Sequence, residues 1–133
     1  MSVILRNDFG AVAVNKGVLE RMIIEDMLAM SDVLLLCNKK GKPIKDKPTP
    51  ILDPDYLDAV DVSEKKGSAA VKVYLLIRSG CNISAVAEEV FEKVEADFRM
   101  LSLDNPSSIS VKVRGLISDE IVKRNIDVVR NNG

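Results

Sequence analysis

The chain has 133 residues, of which 47% are apolar and 29% are charged, and its formal net charge is −1. A chain of this length most often forms one domain, and the composition is typical of a globular protein rather than a disordered one. The sequence contains no histidine, which excludes a Ser-His-Asp or Cys-His catalytic group and a histidine-ligated zinc site. We therefore predict a single domain over residues 1–133.

The N-terminal segment and the cysteines predict a cytoplasmic protein. Arg6 and Asp8 interrupt the first apolar residues, so this segment lacks the continuous apolar core of a signal peptide. The apolar runs elsewhere are only a few residues long, whereas a helix that spans a bilayer needs about 20 residues. Cys37 and Cys81 form no metal-ligand pattern. We interpret them as reduced structural thiols, because a disulfide would require a fold that brings their Cα atoms within about 7 Å.

The first half of the chain predicts two short strands around a helix. Residues 10–14 (GAVAV) are typical of a strand, and Asn15 is suited to cap the helix that the apolar spacing predicts over residues 16–30. The apolar run at 33–37 predicts a buried strand. Residues 38–58 contain four prolines and alternate lysine with aspartate, which predicts a surface loop, since prolines at this density exclude a regular helix or central strand.

The second half predicts a hairpin, a long helix, a strand and a last helix. Residues 59–78 alternate around a polar, glycine-containing turn and predict a β-hairpin. The helical period over 83–101, with Asn82 as its cap, predicts an amphipathic helix. Residues 108–114 alternate as a half-buried strand does. A capping serine, acidic residues and a sparse apolar stripe predict a C-terminal helix within residues 118–133.

Together these elements predict an α+β fold. We expect a mixed sheet of four to five strands, with two long helices packed on one face and a C-terminal helix in addition.

The sequence shows no pattern that predicts a catalytic, cofactor or metal site. Its glycines do not match the spacing of a dinucleotide- or phosphate-binding loop. The lysines at 39–42 follow a strand, but prolines rather than a helix come after them. Glu88, Glu89, Glu92 and Glu95 of the long helix are interpreted as its solvated face, with an acidic docking surface for a basic partner as the alternative. The aspartates between 53 and 61 do not match a calcium loop. We therefore predict a protein that is not an enzyme and has no cofactor.

The outward face of the predicted sheet is the candidate site. Alternation places four basic residues, one tyrosine and one leucine on this face: Lys72, Tyr74, Leu76, Arg78, Lys112 and Arg114. Apolar residues exposed near a strand edge are typical of a surface for self-association or for a protein partner. The basic residues allow an alternative, a nucleic-acid-binding face, although such faces usually carry more aromatic residues.

Three segments of the chain resemble the alkaline shock protein family of mostly Gram-positive bacteria. The first is the G-x-[IV]-x-[IV] strand at 10–14, followed by a helix with Val18 near its start. The second is residues 71–87, VKVYLLIRSGCNISAVA, which resembles the family pattern V-x-V-Y-x-x-[VI]-x-x-G-x-N-I-x-x-V-A. The third is the V-x-V-x-G strand at 111–115. The resemblance covers roughly residues 10–116.

This resemblance implies a small cytoplasmic protein without catalytic residues. Members of the family are linked to cell-envelope stress and envelope homeostasis. Some of them self-associate, and some are held near the membrane by a membrane-anchored protein partner. Relatives are also connected with the control of fatty-acid synthesis, which is a second role that the resemblance implies.

Overall fold

A computed structural model describes residues 2–7, 9–44 and 58–132 of the chain. Its helices and strands are, in chain order, β1 (Ser2–Asn7), β2 (Gly10–Asn15), α1 (Lys16–Ala29), β3 (Leu34–Leu36), β4 (Val60–Lys65), β5 (Ser68–Arg78), α2 (Ile83–Met100), β6 (Ser108–Ile117) and β7 (Ile121–Asn131). Most of the predicted loop over residues 38–58 lies outside the described residues.

β5 is the central strand of a mixed sheet that contains five strands within the described residues. β3 and β4 pair antiparallel with different halves of one edge of β5: Leu34 faces Ile77, and Val60 faces Val73. β6 pairs parallel with the other edge of β5, and β7 pairs antiparallel with β6. β7 is therefore the outermost strand on that side of the sheet.

Local sequence accounts for where the two helices begin. The side-chain oxygen of Asn15 accepts a hydrogen bond from Gly17 N at 2.8 Å, and that of Asn82 accepts one from Ala85 N at 2.9 Å. Each bond satisfies a backbone donor that has no partner within its own helix. Both predicted caps are confirmed.

The β4–β5 hairpin is also confirmed, and its turn is explained by two residues. Lys66 and Gly67 have φ angles of 54° and 81°. Two consecutive positive φ angles are what a two-residue hairpin turn requires, because this turn matches the twist of the flanking strands.

Both helices cover the same face of the sheet and build one core with it. α1 and α2 pack against each other, α1 also contacts β3 and β4, and α2 also contacts β6 and β7. The buried residues of the sheet alternate along the strands, and the core includes Val60, Val62, Val71, Val73, Leu75, Ile77, Ile109, Val111 and Val113. Within the described residues, no helix is long and apolar enough to cross a membrane.

The N-terminal hairpin was not fully predicted from the sequence. β1 and β2 form a separate two-stranded sheet, in which Leu5 faces Val12 and Ile4 faces Ala13. Leu5 is buried in the core, whereas Ile4 is exposed. The hairpin contacts α1, β4 and β5, so it closes one end of the core.

The predicted C-terminal helix is wrong. Residues 121–131 form β7, so the described part of the α+β structure has two long helices, of 14 and 18 residues, and no C-terminal helix. Ile121, Val122, Val128 and Val129 fit a helical stripe as well as a strand, but β-branched residues favour strands. The pairing with β6 decides between the two, since tertiary contacts override local preference.

A partly buried ion pair attaches β7 to α2. Arg130 Nη1 donates to Glu95 Oε1 at 2.8 Å, and Asn132 Nδ2 donates to Glu95 Oε2 at 2.7 Å. Arg130 also pairs with Glu88 and lies over the Phe91 ring at 5.1 Å. Glu95 is only 8% exposed, so the interpretation of this residue as part of a solvated helix face is wrong.

Leu76 is buried because β6 carries a glycine opposite it. The register between β5 and β6 shifts by one residue here, and Leu76 faces Gly115. A Cβ on residue 115 would lie 3.0 Å from Leu76 Cδ2 and 3.0 Å from Ile121 Cγ2. The leucine therefore fills the space that a side chain at 115 would occupy, and its exposed fraction is 0%.

We expect Leu76→Ala to lower the free energy of unfolding by about 2–5 kcal/mol, because it removes fully buried methyl groups. Lys72→Ala, on the same strand and the same face but exposed, is the matched control and should change stability by less than about 0.5 kcal/mol. Urea denaturation of both variants measures the difference. Equal stabilities would show that Leu76 is not packed as described.

Candidate functional site

The face of the sheet opposite the helices brings four of the six predicted site residues together. We call it the open face and define it by Lys72, Tyr74, Lys112 and Arg114, together with Asn125, Asp127 and Val129 of β7. Tyr74 stands opposite Lys112 in the parallel pair β5–β6. Lys72 is exposed, whereas Tyr74, Lys112 and Arg114 are half-buried.

Asp127 is the electrostatic centre of the open face. Lys112 Nζ donates to Asp127 Oδ2 at 2.9 Å, and Arg114 Nη1 donates to Asp127 Oδ1 at 3.2 Å. Arg114 also donates to Asn125 Oδ1 and lies 5.6 Å from the centroid of the Tyr74 ring. The hydrogen bond from Lys112, supported by Arg114, lowers the pKa of Asp127 against a smaller opposing effect of burial.

These contacts change the predicted character of the site. Lys112 and Arg114 belong to the basic patch that the sequence predicts, but both are paired with the carboxylate of Asp127. The open face therefore combines charges of both signs around one aromatic ring, and Lys72 adds a basic side chain that is exposed.

Leu76 and Arg78 are not part of this cluster. The predicted exposure of Leu76 is wrong, since the residue is fully buried and a partner cannot contact it without a change in the fold. Arg78 Nε donates to the backbone oxygen of Ser31 at 2.9 Å. Arg78 thus joins the end of β5 to the turn after α1.

A short segment after β3 lies beside Arg114. The side chain of Asn38 accepts hydrogen bonds from Lys40 N and Lys42 N, which folds the segment into a tight loop. A Cβ on Gly41 would lie 3.2 Å from Arg114 Cβ, so the loop packs closely on this arginine. Cys37, at the start of the segment, is completely buried.

Burial makes Cys37 a weak nucleophile. It raises the pKa of the Cys37 thiol to about 12, although the nearby charge of Arg114 acts in the opposite direction. The thiolate is the reactive form of cysteine. Cys37 is therefore suited to a structural role.

Two carboxyl groups meet between the helices, away from the open face. Asp97 of α2 is 7% exposed, and it lies beside Asp26 of α1. Burial, the hydrogen bond with Asp26 and the charges of Asp26 and Glu25 raise the pKa of Asp97 to about 8, against the opposing charge of Lys93. Within the described residues, Asp26 Oδ2 and Asp97 Oδ2 lack a hydrogen-bond donor. A proton on Asp97 supplies one.

The described part of the chain contains no cluster of three or more cysteine, aspartate or glutamate residues arranged to hold a metal ion. Among the described residues, a depression with room for about 10 Å³ lies between Leu5, Ala69 and Phe98. Small-molecule sites usually measure about 300–1,000 Å³, so this depression is small for a substrate.

The contribution of β7 to the site does not follow from the predicted elements of the sequence. Asn125, Asp127 and Val129 reach the open face because β7 is a strand, whereas a helix would have placed them elsewhere. The alternation of Ile126 and Val128 with Asn125 and Asp127 is the signal in the sequence that favours a strand. It extends over too few residues to outweigh the helix-capping pattern at 118–120.

Comparison with known proteins does not assign this chain to a family. No family model, no curated protein and no solved structure matches the chain. The resemblance to alkaline shock proteins stays a prediction from the sequence.

We expect a thiol reagent such as iodoacetamide to modify Cys81 and spare Cys37 in the folded protein. Cys37 is buried with a raised pKa, whereas Cys81 is partly exposed. Mass spectrometry after a short reaction at mildly alkaline pH measures both sites, and the same reaction in denaturant is the control that should modify both. Fast modification of Cys37 in the native protein would contradict the described burial.

We expect the stability of the protein to fall with pH through Asp97. Its folded-state pKa of about 8 lies above the ordinary value of 3.8. The stabilising contribution is therefore fully present below about pH 4 and is lost as the pH rises through about 8. Urea denaturation across this range should show a steeper loss for the natural protein than for Asp97→Asn.

Glu92→Gln is the control for this measurement, because Glu92 is an exposed carboxyl group on the same helix. It should keep the pH dependence of the natural protein. Parallel stability curves for the natural protein and Asp97→Asn would show that the carboxyl pair does not titrate in this range.

Proposed function

We propose that this chain is a non-enzymatic interaction module that binds a protein partner through the open face of its sheet. The observation that carries the proposal is the one-sided packing of the sheet. Helices α1 and α2 cover one face, while the other face presents Lys72, Tyr74 and Arg114 to the surface as exposed or half-buried side chains.

The chemistry of the open face suits a protein partner. Tyrosine and arginine are enriched where interfaces gain most of their binding energy. Arg114 is held over Tyr74 by Asp127 and Asn125, so both side chains are ordered before a partner arrives. Ordering in advance reduces the entropy that binding costs. Val129, which is 47% exposed, adds apolar surface next to them.

A nucleic-acid partner is the second candidate for the same face. Lys72, Lys112 and Arg114 favour it, but Asp127 neutralises part of their charge, and a carboxylate within the patch repels phosphate groups. The described cluster also offers a single aromatic ring for stacking, whereas single-stranded nucleic acids usually bind to several. We therefore place this candidate after a protein partner.

The cellular role that we propose is the one that the family resemblance implies. It is a cytoplasmic role in cell-envelope stress or envelope homeostasis, with a protein partner that can itself be anchored in the membrane. A regulatory role in fatty-acid synthesis is the alternative. Both rest on the sequence resemblance over residues 10–116.

We expect Lys72→Glu and Tyr74→Ala to weaken binding of a partner by about tenfold or more, as substitutions at important interface positions do. The measurement is capture from native extracts, identification of the partner by mass spectrometry, and titration of the purified partner. Arg21→Glu makes the same charge change on an exposed position of α1 and should bind as the natural protein does.

Arg78 and Lys112 are less suitable positions for this test, because reversing their charge would also break contacts with Ser31 and Asp127. Unchanged titrations for both open-face variants would exclude the open face as the binding surface. Binding of short RNA or DNA with an affinity that falls steeply with salt would favour the nucleic-acid candidate instead.

A further inference from the structure

We propose that two copies of this chain associate by antiparallel pairing of β7 with β7, in a register centred on Asn125. This inference goes beyond the proposed function by adding a second copy as a partner, and it does not depend on whether the open face binds another protein. It uses the outer edge of the sheet, which shares Asn125, Asp127 and Val129 with the open face, whereas Lys72 and Tyr74 of the open face lie on β5.

The exposed edge of β7 provides the first observation. β7 has 11 residues and pairs with β6 on one side, and within the described residues it is the last strand of the sheet. A strand in this position presents unpaired backbone donors and acceptors, and it is a template for another strand. Ile121, Val122 and Val129 are 40%, 44% and 47% exposed, so apolar side chains accompany this edge.

The alternation of β7 limits which registers a symmetric pair can adopt. Asn125 and Asp127 bond to Arg114 on the open face, whereas Arg130 bonds to Glu95 of α2 on the helical side. Between residues 125 and 130, odd-numbered residues therefore face the open side and even-numbered residues face the helices. The register with β6 shifts between Lys123 and Ile126. Beyond this shift, Ile121 lies on the side of Leu76 and Gly115, so the same alternation holds there. A two-fold axis perpendicular to the sheet keeps the faces of both copies aligned, so the axis must pass through a residue.

The register centred on Asn125 is self-complementary. It places Ile121 opposite Val129, and Val122 opposite Val128. It also places Lys123 opposite Asp127, and symmetry repeats each of these contacts. The only mixed pair is Arg124 opposite Ile126, where the aliphatic part of the arginine can cover the isoleucine. Directly opposite side chains stabilise a sheet when they are apolar pairs or opposite charges.

Neighbouring registers lose this match. An axis through residue 124 places Arg124 opposite its own copy, and an axis through Asp127 does the same for two carboxylates. An axis through Ile126 places Lys123 and Arg124 opposite valines. Like charges that face each other directly destabilise a pair of strands, so the register at Asn125 is favoured by charge and by apolar contact together.

Asp127 can accept this additional partner. Its side chain is 44% exposed although it already binds Lys112 and Arg114. A lysine from the second copy can therefore reach the carboxylate from the outer edge. The resulting dimer has one continuous sheet. The four long helices of the two copies cover one face of this sheet, and the two open faces form one surface on the other side.

A charge exchange tests the pairing with the full chain. Lys123→Glu places a second carboxylate opposite Asp127 at both symmetric contacts, and Asp127→Lys places lysines opposite each other at both. We expect each variant alone to raise the dimer dissociation constant roughly tenfold or more. An equimolar mixture should restore the dimer, because each copy then faces an opposite charge at both contacts. Sedimentation equilibrium measures the masses. Circular dichroism and urea denaturation check that each variant is folded, because Asp127→Lys also removes the ion pairs of Asp127 with Lys112 and Arg114.

Cysteine cross-linking tests the register without a change of charge. In a Cys81→Ser background, Asn125→Cys should form a disulfide-linked dimer under mild oxidation, because the axis brings the two residues within about 5.5 Å. Lys123→Cys is the matched control on the same strand and face. Its two copies would be separated by about four residues, or about 13 Å, which is too far for a disulfide.

The outcomes separate this inference from the proposed function. A natural protein that stays monomeric at all concentrations, a mixture that does not restore the dimer, or equal cross-linking at 123 and 125 would each overturn the β7 pairing. None of them affects partner binding at Lys72 and Tyr74. Conversely, unchanged partner titrations for Lys72→Glu and Tyr74→Ala, together with an intact dimer, would overturn the proposed partner surface and leave β7 as a contact between copies.

Discussion

The structure depends on β5 being paired along both edges and buried on one face. β3 and β4 share one edge of this strand, and β6 occupies the other. Val71, Val73, Leu75 and Ile77 point from β5 into the core under the helices. Because β5 and β6 are parallel, a crossover connection must carry the chain from the end of β5 back to the start of β6, and α2 provides it. The position of the long helix thus follows from the pairing of β5.

The same arrangement determines the chemistry of the open face. Because one face of β5 and β6 packs into the core, the alternate residues Tyr74, Lys112 and Arg114 must lie on the other face. β7 then adds Asp127 beside the two cations. A carboxylate at this point orders both basic side chains and offsets their charge. The surface is therefore better suited to a partner with mixed charges than to a polyanion.

Periodicity in the sequence predicted the elements that are regular and amphipathic. β5, α2 and β6 follow from alternation or from the helical period, and the two asparagine caps follow from side-chain chemistry. The open-face positions of Tyr74, Lys112 and Arg114 follow from the same alternation. These features depend on residues close together in the chain, so the sequence alone is sufficient for them.

The failures have a common physical cause, which is contact between distant segments. The C-terminal residues are compatible with a helix until β6 is available as a partner. Leu76 is buried because Gly115, on another strand, leaves space for it. Glu95 belongs to an acidic helix but meets Arg130 of β7. In each case, a residue far away in the sequence decides the outcome, and local patterns are not sufficient to predict it.

The partly buried contact between Glu95 and Arg130 helps to determine the register of the last strand. An edge strand with alternating side chains can slide by two residues along its neighbour and still keep the same residues on each face. Such slippage would carry Arg130 away from Glu95 and leave a desolvated carboxylate uncompensated, which is strongly unfavourable. The ion pair therefore specifies the register of β7. It does so more by raising the free energy of every shifted register than by lowering that of the native register.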